Sequence, residues 1–157
     1  MAHSGVFDKE RSAAVTVTQL GQYALMGTIR KHVVMIDEPA EFGGSDYGPD
    51  PMEMIALSLA ACISLTIKMY AQRRKWEVGT ILVVAKHTSV TQSDRQRRNK
   101  FVVSLTSDTV MDEAIRGMLD KVAAKCPVHD MLHGSCTIER VWASLDRPRE
   151  KQEFACA

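Results

Sequence analysis

The stretch from Asp50 to Lys75 constrains the fold more than any other. It opens as Asp50-Pro51-Met52-Glu53: a capping side chain, a proline at the first helical position and a glutamate three residues after the cap. From there Met54, Ile55, Leu57, Leu59, Ile63, Leu65 and Ile67 cover nearly the whole circumference of a helix. Gln72-Arg73-Arg74-Lys75 closes it, with cations at the negative end of the helix dipole. A helix that is apolar all round needs protein on every side. A chain of 157 residues offers few layers, so burial against a second copy is expected. The run from Met54 to Ile67 is broken by Ser58, Ser64 and Thr66 and followed by Lys68. That is short of the roughly 20 apolar residues a bilayer demands, and no membrane span is expected.

Around this helix the periodicities change. Ala13 to Leu20 alternates Val15 and Val17 with Thr16 and Thr18, which is strand spacing. Gly21 and Gln22 turn the chain into Tyr23 to Ile29, and His32 to Ile36 supplies a third strand. Asp37 to Asp50 is a loop rich in turn formers, with Pro39, Gly43, Gly44, Gly48 and Pro49. Thr80 to Val90 and Phe101 to Ser107 read as a hairpin with a polar tip from Ser93 to Lys100. Val110, Met111, Ala114, Ile115, Met118, Leu119, Val122 and Ala123 then form a stripe at helical spacing. Pro127 disfavours helix at Cys126, so the chain bends there and a short helix from Pro127 to His133 ends at Gly134. Cys136 to Leu145 is expected as a last strand, and Arg147 to Ala157 as a charged tail. Strands and helices do not alternate strictly, which favours an α+β fold in one domain, with its core at about residues 13–145 of 1–157.

Composition narrows the function classes. Twenty basic and 19 acidic residues leave a net charge of +1, which gives no general pull toward nucleic acid or anionic membrane. Four cysteines are too few for a disulfide scaffold. No basic, apolar, small-residue leader opens the sequence, so a cytoplasmic protein with reduced thiols is expected. There is no phosphate-binding glycine loop, serine-nucleophile elbow or dinucleotide fingerprint.

Two cysteines carry the chemical interest. Cys126 opens the turn Lys125-Cys126-Pro127-Val128-His129. If it caps the helix begun by Pro127, unpaired amides and the positive helix end lower its pKa toward the reactive thiolate, with Lys125 and His129 adding charge. From spacing alone, a small buried residue at a bend is the simpler account. Cys62 lies in mid-helix among uncharged neighbours, and side-chain physics alone makes it a packed, inert core cysteine. A nucleophilic Cys62 would need a cation from elsewhere: Arg30 or Lys31, a histidine such as His129 or His133, or a hairpin arginine. Glu53 is explained by its capping motif. Cys126, His129 and His133 have metal-compatible spacing without a fourth ligand, so no metal is expected. Arg95, Arg97, Arg98 and Lys100 lack interleaved aromatics and read as a solvated tip.

Several blocks together resemble a known family. Asp37-Glu38-Pro39, Gly43-Gly44, Gly48-Pro49-Asp50-Pro51-Met52-Glu53 and Leu59-Ala60-Ala61-Cys62 are similar to the OsmC/Ohr family. So are Met69-Tyr70-Ala71 and Lys125-Cys126-Pro127-Val128 with Leu132, and the likeness runs from about Val15 to Val141. The resemblance implies an antiparallel sheet packed on a long central helix, two intertwined chains, and active sites at the dimer interface. It also implies that Cys62 is the peroxidatic cysteine and Cys126 the resolving one, reducing organic hydroperoxides without metal, flavin or haem, at the expense of an external dithiol. The chain departs from the peroxidase pattern at two points. Met52, not a glutamate, follows Pro51, and the turn Leu20-Gly21-Gln22-Tyr23 holds no arginine. Arg30 is then the nearest replacement cation.

The expectation is therefore an OsmC-like homodimer and antioxidant thiol peroxidase with a Cys62/Cys126 pair, and with Arg30, Glu53 and His129 as activating or pocket residues. The competing class is a binding or redox-sensing protein that kept the fold and thiols without efficient peroxidase activity. A metal module on Cys126, His129 and His133 comes third.

Overall fold

The computed structural model describes residues 13–91, 97–134, 138 and 140. Three short strands come first, β1 (Val15–Gln19), β2 (Leu25–Ile29) and β3 (His32–Ile36), followed by the long helix α1 (Pro51–Arg74). A hairpin of β4 (Ile81–Thr91) and β5 (Arg97–Ser107) and the helices α2 (Glu113–Ala123) and α3 (Pro127–His133) complete the described elements. The strands form two antiparallel sheets, β1-β2-β3 and β4-β5. The fold is α+β, as expected. The segment expected to form a last strand, Cys136 to Leu145, and the tail that follows it lie outside the described residues apart from isolated positions.

Helix α1 begins where its capping chemistry says it must. The Asp50 carboxylate accepts from the amides of Met52 at 2.6 Å and Glu53 at 2.8 Å. The Glu53 carboxylate reaches back to accept from the Asp50 amide at 2.9 Å, closing a reciprocal box. The helix runs 24 residues, longer than the apolar run alone, and by length and composition it would cross a bilayer. In this fold it packs against β4, α2 and α3 instead.

It is not buried all round in the single chain. Leu59, Ile63, Thr66, Ile67 and Ala71 are buried, while Leu57 is 60% and Leu65 62% exposed. Among the described residues, β4, α2 and α3 pack on α1 and leave the side of Leu57, Ala61 and Leu65 bare. The core cluster joins α1 to Val78, Leu119, Ala123 and Cys126, with Val83, Phe101 and Ile115 packed around it. It takes no residue from β1, β2 or β3. Val15, Val17 and Val33 on that first sheet are all more than half exposed.

Two boundaries differ from the sequence expectation. The helical stripe beginning at Val110 overshoots: Asp112 caps α2 by accepting from the Ala114 amide at 2.8 Å, and Val110 stands outside, 97% exposed. The polar tip of the hairpin is shorter than expected. Arg97 to Lys100 pair in register with Thr91 to Thr88, since a ladder needs backbone groups and not apolar side chains.

Candidate functional site

The site forms where the middle of α1 meets the junction of α2 and α3. Pro127 ends the run of α2, and the bend places Cys126 at the cap of α3, with its carbonyl accepting from Asp130 at 3.0 Å. The Cys126 side chain turns inward and is fully buried, in the same cluster that contacts Cys62. Both are free thiols, and they lie near enough that Cys62 helps to raise the Cys126 pKa. Sequence spacing could not have paired them.

Cys62 is only partly buried. Viewed down α1, Leu59, Ile63 and Thr66 lie buried to one side of it, and Ser58, Ala61 and Leu65 lie exposed to the other. The cysteine stands on the border between the core and a bare apolar stripe. Thr66 does not compete for the thiol, because its hydroxyl donates to the Cys62 carbonyl at 2.8 Å.

The Cys126 thiol is pushed up to about 11 from an ordinary 9.0. Burial is the largest cause, the hydrogen bond with the Cys62 side chain adds to it, and charge on Cys62 adds further. The amides of His129 and Val128 pull the other way and lose, and no capping hydrogen bond to the sulfur is formed. Of the two readings the spacing left open, the geometry favours the small buried residue at a bend over cap activation. The helix end is present, but desolvation outweighs it. Cys126 is a protonated donor facing Cys62.

The other expected residues fall elsewhere. Arg30 sits at the exposed tip of the β2–β3 hairpin with φ of 56°, on the sheet that adds nothing to the core around Cys62. Glu53 is spent on the α1 cap, and nine residues of helix put it roughly 13 Å along the axis from Cys62. The His129 ring bonds the Ala124 carbonyl at 2.8 Å and meets His133 edge to face at 5.7 Å. Neither ring joins Cys126 in a cluster: among the described residues no three His, Cys, Asp or Glu side chains gather as metal ligands. Arg98 and Lys100 share a strand face with the exposed Val102, opposite the face of Phe101 and Val103 that packs on the core. Arg95 lies outside the described residues.

The residue missed in the sequence is Asp37, which is 2% exposed. Its carboxylate accepts from the amides of Glu38 at 2.8 Å, Ser45 at 3.0 Å and Tyr47 at 3.3 Å. Burial alone would raise its pKa, and these three donors reverse that and hold it below 3.8. The loop is packed so closely that a Cβ on Gly44 or Gly48 would strike the backbone of Glu38 or Met35. Asp37 thus fixes the path into the Asp50 cap and so the placement of α1. Its sequence signals were its place at the head of a glycine-rich loop and in the Asp37-Glu38-Pro39 block, neither of which spelled out its role. A groove of about 560 Å³ opens between Ile81, Leu105, Met111 and α2, and neither cysteine lines it.

A mixed helix and antiparallel-sheet domain with a thiol pair between its central helix and a proline-broken second helix is a narrow class. Residues 43–140 match the family described as OsmC-like protein, and the chain belongs to that family. No curated protein matches the chain. Among solved structures, an OsmC-like protein from Mycoplasma pneumoniae superposes with a TM-score of 0.65 at 18% identity, covering 80% of this chain and 90% of that one. An organic hydroperoxide resistance protein OsmC from Legionella pneumophila gives 0.64 at 14% identity, over 81% and 93%. The organic hydroperoxide resistance protein OhrB of Bacillus subtilis gives 0.61 at 20% identity, over 79% and 92%. These likenesses establish the shared fold.

Proposed function

We propose that this chain is a cysteine-based peroxidase that reduces organic hydroperoxides, with Cys62 as the attacking thiol and Cys126 as the resolving one. The observation that carries the reading is the pairing of a partly exposed Cys62 with a fully buried Cys126 whose thiol is held protonated. The names of the Legionella and Bacillus neighbours agree with it. The Cys62 thiolate attacks the terminal oxygen of a hydroperoxide. The O–O bond breaks, an alkoxide leaves and takes a proton as the alcohol, and Cys62 becomes a sulfenic acid. The Cys126 sulfur then displaces the sulfenic oxygen, which departs as water with the thiol proton, and a disulfide remains for an external dithiol to reduce. Apolar surroundings on α1 suit alkyl or lipid hydroperoxides better than hydrogen peroxide. The chemistry calls on no metal, flavin or haem.

The working unit in this reading is a homodimer in the cytoplasm. Its support is the bare stripe of Leu57, Ala61 and Leu65, which borders the site, and the exposed valines of the first sheet. A second reading, a binding or redox-sensing protein without efficient turnover, draws on a specific observation. Within the chain, Arg30 and Glu53 both lie away from Cys62.

Stopped-flow mixing of the reduced protein with cumene hydroperoxide separates the two. The expected result is fast consumption of one equivalent per chain, lost in Cys62→Ser. Equal, slow rates in both proteins would end the peroxidase reading in favour of the second.

A further inference from the structure

The hairpin of β4 and β5 turns only one of its faces to the core. Ile81, Val83, Ala85, Phe101 and Val103 point inward and pack around the core cluster. Side chains alternate along a strand, so the register sets Leu82, Val84 and Val90 of β4 with Val102 of β5 on the other face. These four are between 47% and 61% exposed. Lys86, Arg98 and Lys100 stand exposed among them on that same face.

Nothing within the chain accounts for this surface. Core packing asks nothing of the outer face, and a sheet with one solvated face ordinarily turns polar residues to it. The three cations lie across the ladder from Val102, Val90 and Thr88, where a carboxylate would have paired with each. None of the outward positions from Leu82 to Val90 and from Arg98 to Thr106 is acidic. Among the described residues the ion pair is elsewhere, between Arg116 and Glu113 on α2. The net charge of +1 conceals this local imbalance.

We infer that this outer face docks on the surface of an anionic lipid bilayer. Its cations meet the headgroup charge, and Leu82, Val84 and Val102 enter the interfacial layer beside them. The face fits a bilayer better than it fits other polyanions. It holds no aromatic ring on which bases could stack, since Phe101 points inward. It is a ribbon of short side chains and extended cations, and the groove beside it is lined by Ile81 and Leu105 of the inner face. A folded acidic partner needs a matching relief, and a fluid surface does not. The inference stands on this surface alone and holds whatever the two thiols do.

The test is co-sedimentation of the full chain with large unilamellar vesicles of phosphatidylcholine, alone or mixed with phosphatidylglycerol. Binding is expected to the mixed vesicles only, falling as salt rises from about 0.05 M to about 0.3 M. Each cation near such a surface is worth about fivefold in partitioning, so Lys86→Gln/Lys100→Gln should bind about 25-fold more weakly. Arg116→Gln/Lys121→Gln removes the same charge from α2 and should lose less than about threefold. Leu82→Ser/Val84→Ser should bind several-fold more weakly at every salt concentration. All these side chains are exposed, so circular dichroism should match that of the parent chain. Equal binding to both vesicle types, no binding at low salt, or equal losses in the two cation variants overturns the inference. So does unchanged binding of the serine variant. Capture by polyglutamate or a single-stranded oligonucleotide, with none by the vesicles, overturns it in favour of another polyanion.

Discussion

If the proposed homodimer pairs through the bare stripe of α1, replacing Leu57 and Leu65 together by alanine should loosen it without unfolding the chain. The two leucines are 60% and 62% exposed in the single chain. Full burial of a leucine side chain is worth about 1.5–3 kcal/mol, so the part left bare here corresponds to roughly 1–2 kcal/mol each. A two-fold pair contains four such leucines, and alanine keeps only the Cβ. The dimer should lose about 3–6 kcal/mol, which weakens its dissociation constant by roughly two to four orders of magnitude. The monomer itself should barely respond, because the removed atoms touch little within it and alanine is the better helix former. Sedimentation equilibrium over a concentration series reads the dissociation constant, and circular dichroism reports whether α1 persists. An unchanged dissociation constant with an intact helix would refute the reasoning, since the stripe would then lie outside the interface.

Gly117 sits inside α2, and a Cβ there meets nothing within 4 Å. Gly117→Ala should therefore raise stability by about 0.5–1 kcal/mol, seen as a higher unfolding midpoint. Asp50→Ala removes the carboxylate that accepts from two amides at the start of α1 and breaks the reciprocal box, at a cost of about 1–2 kcal/mol in denaturant titration. Asp37 and Asp108 are both held below 3.8, so their contribution is present above that value and is lost as pH falls through the lower folded-state values. Denaturant midpoints taken down to about pH 3 should fall more gently in Asp37→Asn, once its lower starting stability is allowed for. At the other end, Cys126 titrates at about 11 when folded against 9.0 when free, so the unfolded chain loses its proton first. Stability should decline as pH rises from 9.0 toward 11, and Cys126→Ala should flatten that limb.

What the sequence made legible was local. The start of α1 could be read because Asp50, Pro51 and Glu53 act on amides within three residues of one another. The short helix after Cys126 could be read because proline and glycine punctuate it on both sides. Where the reading slipped, a local signal was overruled at short range. Val110 and Met111 keep the helical phase of α2, but a capping Asp112 stands between them and the helix.

The site was legible only through resemblance. Nothing in the spacing of Cys62 and Cys126 says that α1 and the α2–α3 bend touch, since that contact depends on how β4 and β5 carry the chain back across α1. The sign of the Cys126 perturbation was not legible either. Its two contributions come from different levels of structure: the helix end from the adjoining Pro127, the burial from residues such as Ile63 and Leu119 on other helices. Only the first is written beside the cysteine. Where Arg30 stands was not legible either, because its nearness in sequence to the turn at Leu20–Tyr23 says nothing about which elements its sheet packs on, and within the chain that sheet adds nothing to the core cluster.

Taken together, the bare stripe and the border position of Cys62 make activation and assembly one problem. Inside the chain the partner identified for the Cys62 sulfur is the protonated Cys126, a neutral donor on the buried side. Any cation that holds the Cys62 thiolate has to approach from the other side, where Ser58, Ala61 and Leu65 lie open. Whatever covers those residues also sets the field at the sulfur and the shape of the channel by which peroxide and reductant enter. Among the described residues, the first sheet, with its uncovered valines and Arg30 at its tip, is an element left free to reach across.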